Sequence, residues 1–299
     1  MIEIKNITKS FENTNVLEKL NCKIEKGSIY GLVGANGAGK STLLRLITGI
    51  FKQEEGEIRI DKEITYDNPE IKNKMVFVSD DLYFYPGYTL ENMSKVYSSV
   101  YSEFDNEYFK KLYTLFKLAP DKKLNSFSKG MRRQAAIILA LSTKAEYLFF
   151  DETFDGLDPV IRNLVKKIIC EQVAENKATV ILTSHNLREL EDICDHLGLL
   201  YKGGIIFESD ISTIKTRMFK VQISLKEDFN EKTFSELEIM NFIKKGSVAT
   251  IIINEEQEKA RKYLETKNPI VLDFLPLTLE EVFIYEMEVL GYEFPNIVN

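Results

Sequence analysis

The chain has 299 residues, 44% hydrophobic and 28% charged, which suits one or two globular domains with ample buried core. Its formal net charge of −7 runs against a general nucleic-acid binder, which presents a basic face. The longest apolar run, residues 135–141, is far short of the roughly 20 residues that span a bilayer, so a membrane role must come through a partner.

Met1 leads straight into Ile2-Glu3-Ile4-Lys5, an alternation that predicts a strand and not a signal peptide. Residues 28–33 (S-I-Y-G-L-V) form a short apolar run that stops at glycine, as a buried parallel strand feeding a turn does. Residues 41–47 then place Leu43, Leu44, Leu46 and Ile47 on a short helix ended by Gly49. Met75–Val78, Tyr147–Phe150 and residues 179–183 read as further buried strands. Strands alternating with helical stretches predict an α/β unit with a mostly parallel sheet up to about residue 210. Between about 81 and 145 the chain turns polar, tyrosine-rich and helical in pattern, which predicts a helical insertion between two strands.

From about 214 the pattern changes. Phe219, Val221, Ile223 and Leu225 alternate with Lys220, Gln222, Ser224 and Lys226, predicting a half-exposed strand. Phe234, Leu237 and Met240 predict a helix, residues 248–253 a strand, 255–266 a helix and 269–274 a strand. Thr278 and Glu281 form a capping box opening a last helix that ends near Gly291. The expected domains are 1–213 and a small α+β domain over 214–299. The second is either a stabilising appendage or a module that holds two copies together. Three cysteines (Cys22, Cys170, Cys194) at wide spacing suggest neither disulfides nor a metal site; buried free thiols in a reducing cytosol are expected.

Gly34-Ala35-Asn36-Gly37-Ala38-Gly39-Lys40-Ser41 matches G-x-x-x-x-G-K-S/T, and Thr42 follows. It lies between a predicted strand and a predicted helix, the context the phosphate loop needs. Its glycines let backbone N–H groups converge on phosphate oxygens, and the helix N-terminus adds partial positive charge. Lys40 is expected to reach the β- and γ-phosphates of ATP and Ser41 to coordinate Mg2+. Asp151 and Glu152 end the apolar run 147–150, at the strand end where open α/β sheets bind ligands. Asp151 is expected to hold Mg2+, and Glu152 to polarise the attacking water as general base. These motifs alone describe a nucleotide hydrolase.

Ser126-Phe127-Ser128-Lys129-Gly130-Met131 precedes an apolar helix just ahead of Asp151 and resembles the L-S-G-G-Q signature of ABC ATPases. Phe127, Lys129 and Met131 depart from that pattern. Asp155-Gly156-Leu157-Asp158 resembles the family's D-loop, and Thr183-Ser184-His185 resembles its switch histidine. The resemblance implies an ABC cassette, a P-loop core of RecA type with a helical subdomain over about 81–145. It also implies that two cassettes pack head to tail, with Ser128 and Gly130 of each clamping the other's γ-phosphate. His185 is then expected at the γ-phosphate, and Phe11 stacks on adenine. His196 carries no such expectation.

The loop after Met75–Val78 usually carries a glutamine in this family; here the run is Ser79-Asp80-Asp81. Asp80 aligns with it. A carboxylate can coordinate Mg2+ but, when ionised, cannot donate a hydrogen bond. The S-K-G-M form and the ending Leu277-Thr278-Leu279-Glu280-Glu281-Val282-Phe283 resemble ATPases of bacterial drug, antibiotic-resistance and cell-envelope exporters. The expected protein is a cytoplasmic ATPase, peripheral to the membrane. Its expected partners are a second cassette and a separate transmembrane permease, with no nucleic acid. The alternative is a soluble ABC ATPase acting on ribosomes or DNA, which typically carries two cassettes or a long coiled coil. This chain has one phosphate loop and no sustained heptads. A GTPase is disfavoured because no N-K-x-D guanine motif occurs.

Overall fold

In the computed structural model, which describes residues 1–12, 14–211 and 218–289, the chain begins as two long antiparallel strands, β1 (Ile2–Phe11) and β2 (Thr14–Ile24). Strand β3 (Ile29–Val33) and helix α1 (Lys40–Ile47) come next, followed by β4 (Glu55–Ile60), β5 (Glu63–Ile64), α2 (Pro69–Lys72) and β6 (Met75–Val78). Helices α3 (Leu90–Val100), α4 (Asn106–Leu115) and α5 (Lys129–Ser142) then fill the stretch before β7 (Tyr147–Phe150). Helix α6 (Pro159–Asn176), β8 (Thr179–Ser184), α7 (Leu187–Glu191), β9 (His196–Tyr201) and β10 (Gly204–Asp210) close this part.

Two sheets result. One has the order β2-β1-β4-β5, the other β10-β9-β3-β8-β7-β6. In the second, β6, β7, β8, β3 and β9 pair in parallel. Every residue of β3, β7 and β8 is buried, so these strands read as continuous apolar runs. One core joins the sheets: Leu43, Leu44, Leu46 and Ile47 of α1 pack with Ile2, Ile4, Ile7, Tyr147 and Phe149. Each leucine buried so fully contributes about 1.5–3 kcal/mol. The register sets the site. Val33 ends β3 beside Ser184, and Phe150 ends β7 beside Leu182, so three strands deliver their following residues to one edge.

The chain divides into two compact units, the first Met1–Glu208 and the second from Ser209 onward. The boundary expected at 213/214 falls outside the described residues. In the second unit, β11 (Met218–Ser224), β12 (Ile239–Lys245), β13 (Val248–Asn254) and β14 (Val271–Pro276) form an antiparallel sheet in the order β12-β13-β11-β14. Helix α8 (Gln257–Thr266) packs Ala260 and Leu264 against Phe219, Val221, Ile223, Ile251 and Ile253. Helix α9 (Leu279–Val289) opens with the expected capping box: Glu281 N donates to Thr278 Oγ1 at 3.3 Å and Thr278 N to Glu281 Oε2 at 3.0 Å. The expected helix end near Gly291 lies outside the described residues.

Two expectations need correction. Met240 lies in strand β12; only the turn Glu231–Phe234, a 3-10 helix capped by Asn230, precedes it. The spacing of Phe234, Leu237 and Met240 mimics a helical stripe, but backbone pairing of β12 with β13 decides the conformation. The antiparallel strands β2 and β4, together with β9 and the edge strand β10, carry patterns too mixed to be read locally. Finally, Cys22 and Cys194 are buried, but Cys170 on α6 is exposed. Burial pushes the Cys22 thiol up to about 12 and the Cys194 thiol well above its ordinary value. A thiol titration of the native protein with Ellman's reagent should therefore label Cys170 alone, with Cys22 and Cys194 reacting only after unfolding. Rapid native labelling of either would contradict this packing.

Candidate nucleotide site

The loop 34–39 leaves β3 and enters α1 through Gly39, which occupies the N-cap with φ 108°. A Cβ there would lie 2.9 Å from Leu17 Cδ2 and 3.1 Å from Val16 O, so the turn excludes larger residues twice over. No side chain caps this helix, and its first N–H groups are left for a ligand. Ser41 and Thr42 lie in its first turn, half-buried. Asn36 and Gly37 are exposed on the loop, whereas Gly34 is buried against β9, where a Cβ would meet Leu200 O at 2.6 Å.

Lys40 crosses the loop. Its Nζ donates to Gly34 O at 2.6 Å and to Ala35 O at 3.2 Å, and lies 3.1 Å from Glu152 Oε1. The lysine is 5% and the glutamate 13% exposed. Glu152 Oε2 in turn lies 2.9 Å from His185 Nδ1. The expected phosphate-binding lysine, base and switch histidine thus meet around one carboxylate.

Asp151 is fully buried. Its Oδ1 accepts from Thr183 Oγ1 at 2.7 Å, and Thr183 Oγ1 accepts from Glu152 N at 3.0 Å. One hydroxyl therefore orients both acids. Asp151 Oδ2 is buried without a hydrogen-bond partner. An orphaned, buried carboxylate oxygen beside a phosphate loop fits a Mg2+ ion, which takes oxygen ligands.

Ser128 caps α5, accepting from Met131 N at 3.2 Å. Gly130 packs against the D-loop: a Cβ would stand 2.8 Å from Gly156 O. Lys129 Nζ reaches Asp155 Oδ2 at 2.7 Å and holds that carboxyl below its usual range, the hydrogen bond being the chief cause. Phe11 is 41% exposed and meets Phe51 edge-on at 5.5 Å. Asp80 points elsewhere, its Oδ1 on Arg133 Nη2 at 2.6 Å. Within this chain Lys40, Asp151, Glu152 and His185 are joined by direct contacts or by Thr183, while the contacts of Phe11, Asp80, Ser128 and Gly130 are made with other residues.

The sequence pattern of the family described as "ABC transporter" matches residues 17–155. The chain is 30% identical over 284 residues to the ABC transporter ATP-binding protein YtrB of Bacillus subtilis, covering 95% of this chain and 97% of that one. This chain belongs to the ABC transporter ATP-binding proteins. Such a subunit binds and hydrolyses ATP, dimerises and works with membrane permease subunits. A second relative, the linearmycin resistance ATP-binding protein LnrL of Bacillus subtilis, is 32% identical over 212 residues, 69% of this chain and 68% of that one. Among solved structures, one described as the ATP binding subunit of an ABC transporter superposes with a TM-score of 0.66 at 26% identity. It covers 72% of this chain and 92% of that chain.

In this ABC subunit two residues that hold the site together carry no motif of their own. Thr183 precedes His185 near the end of a buried strand, where a threonine signals a side chain that must bond inward. Arg133, 1% exposed, gave no signal, since a charged residue on an amphipathic helix normally faces solvent. Thr183→Val keeps the volume but strands Asp151 Oδ1 and the Glu152 N–H. It should destabilise the protein by about 1–3 kcal/mol and slow ATP turnover. Denaturant melts and steady-state turnover measure both, and parental values for each would remove Thr183 from the site.

Proposed function

We propose that the residues gathered at this edge run ATP hydrolysis for a bacterial exporter. Backbone N–H groups of residues 34–39 and the Lys40 ammonium hold the phosphates, with Asn36, Gly37, Ser41 and Thr42 completing the loop. Ser41 and Asp151 hold Mg2+, which when bound supplies charge neutralisation at the phosphates. Glu152 accepts a proton from the attacking water, and His185 orients Glu152 and faces the γ-phosphate. Phe11 offers its exposed face to adenine. Ser128 and Gly130 present a helix N-terminus to the nucleotide of a second cassette, identical or paralogous.

The observation that carries this reading is the convergence of Lys40 and His185 on Glu152, next to the unpartnered Asp151 Oδ2. The Lys40–Glu152 pair also gives a reason for a two-state cycle. Phosphate competes with Glu152 for Lys40, so binding frees the carboxylate to act as a base.

The permease is proposed to dock on the helical stretch 81–145. Tyr83, Tyr85 and Tyr88 are all exposed there, and their rings lie 6.1 and 5.2 Å apart in sequence order. Exposed aromatic clusters are typical of protein-binding surfaces. No helix among the described residues is long and apolar enough to cross a membrane, which fits energy supply through a separate permease at the cytoplasmic face. Export follows the resistance role named for LnrL and the S-K-G-M signature.

Two variants test the site. Lys40→Ala should abolish measurable ATP turnover and weaken nucleotide binding; parental turnover would sink the phosphate-loop assignment. Glu152→Gln should still bind ATP but hydrolyse it about a hundredfold or more slowly, the scale of losing a general base. Its ATP-bound form should run as a dimer in size-exclusion chromatography. A Glu152→Gln protein that turns over normally rules out Glu152 as the base. For the partner, the tagged chain should bring a membrane protein of permease type out of native membranes; ribosomes or DNA in its place would favour the soluble alternative.

A further inference from the structure

The loop that follows β6 is bound to the signature helix by two consecutive arginines. Arg133 Nη1 donates to Ser79 O at 2.9 Å, and its Nη2 to Asp80 Oδ1 at 2.6 Å. Arg132 Nη2 donates to Leu82 O at 3.0 Å, and its guanidinium carbon stands 5.8 Å from the Phe84 ring centroid. Residues 79, 80, 82 and 84 are therefore held from the first two turns of α5. The same two turns carry Lys129, paired with Asp155, and Gly130, packed on Gly156.

The pair is asymmetric. Arg133 is 1% exposed, whereas Asp80 is 52% exposed. A guanidinium buried so deeply needs an anionic partner, and Asp80 is the carboxylate that meets it. That engagement bears on the metal. The guanidinium 2.6 Å from Oδ1 occupies that oxygen and, by its positive charge, disfavours a divalent ion on the same carboxylate. Asp151 has the opposite character: a buried oxygen with no partner.

We infer that Asp80 is a positioning residue, whose carboxylate locks the 79–84 loop onto the signature helix through Arg133 and does not ligate Mg2+. The arrangement exchanges a hydrogen-bonding glutamine for an ion pair. It makes the exposed Tyr83 and the Ser128 cap parts of one rigid assembly. A displacement of the tyrosine loop is thereby delivered to the end of α5 that faces the second nucleotide. This last consequence rests on the nucleotide-site reading proposed above; the tie itself does not.

The test uses the full chain and three variants: Asp80→Asn, Asp80→Glu and Arg133→Lys. ATP turnover is followed against Mg2+ concentration at saturating ATP, and amide hydrogen exchange is followed over residues 79–84. In Asp80→Asn, loop exchange should speed by about tenfold or more, the scale of losing a local tie. Its maximal turnover should fall while the Mg2+ concentration for half-maximal rate stays within about twofold. Asp80→Glu keeps the charge and should restore both loop protection and turnover. Combining Asp80→Asn with Arg133→Lys should cost less than the product of the single effects, as for partners in contact. A tenfold rise in the Mg2+ requirement of Asp80→Asn would overturn the inference, and so would unchanged loop exchange. If Arg133→Lys fails to fold, the exchange and Mg2+ data on Asp80→Asn decide alone. If Lys40→Ala kept parental turnover, the nucleotide-site reading would fail while the exchange measurement still judged the tie.

Discussion

Lys40 and Glu152 are 112 positions apart in the chain, yet their charges meet 3.1 Å apart in a nearly dry site. Burying two charges is costly, and their attraction offsets that cost only when other hydrogen bonds satisfy them. Both charges meet that condition. Lys40 donates to two loop carbonyls, and Glu152 binds His185. The pair can exist only because β3 and β7 flank β8 in one parallel sheet and end at the same edge. The rest of the first unit serves that alignment: α1 fills the space between the sheets and holds its own N-terminus beside the acids.

Around this pair the chain accepts unfavourable local states. Glu152 has φ 47°, a left-handed conformation that costs a side-chain-bearing residue about 1–3 kcal/mol. Thr183 compensates in part by accepting the Glu152 N–H. Asp151 Oδ2 remains buried and unpaired. Strain and an orphaned oxygen side by side, at the end of an otherwise regular strand, mark a place shaped for a ligand and not for maximal stability.

Helix α5 has a second kind of role. Its apolar body, from Ala135 to Leu141, is almost wholly buried and anchors it in the first unit. Its first two turns are polar and divided among three tasks: the Ser128 cap, the Lys129 link to the D-loop and the arginine hold on the 79–84 loop. A rigid element with contacts at several sites moves them together, because packed interiors shift between discrete arrangements and do not deform continuously. The second unit has its own core around Val221, Phe234 and Ile251 and contributes none of the nucleotide-site residues named here.

The sequence by itself determined the phosphate loop, the acids after a buried strand, the order of the motifs and hence the family. These are local features: glycine spacing, a four-residue apolar run and a capping serine each state their conformation within a few residues. It also determined most strands of the parallel sheet, because strands buried on both faces cannot hide their composition. Tertiary structure alone decided which way Asp80 turned, that Thr183 ties Asp151 to Glu152, that Arg133 lies inside the fold, and that Met240 joins a strand. It decided too that Cys170 is exposed while the other two thiols are buried. Each of these depends on a partner distant in sequence or on which face of an element meets the core. An ion pair such as Asp80 with Arg133 leaves no periodic trace in the chain, so only the folded backbone that brings its two ends together can reveal it.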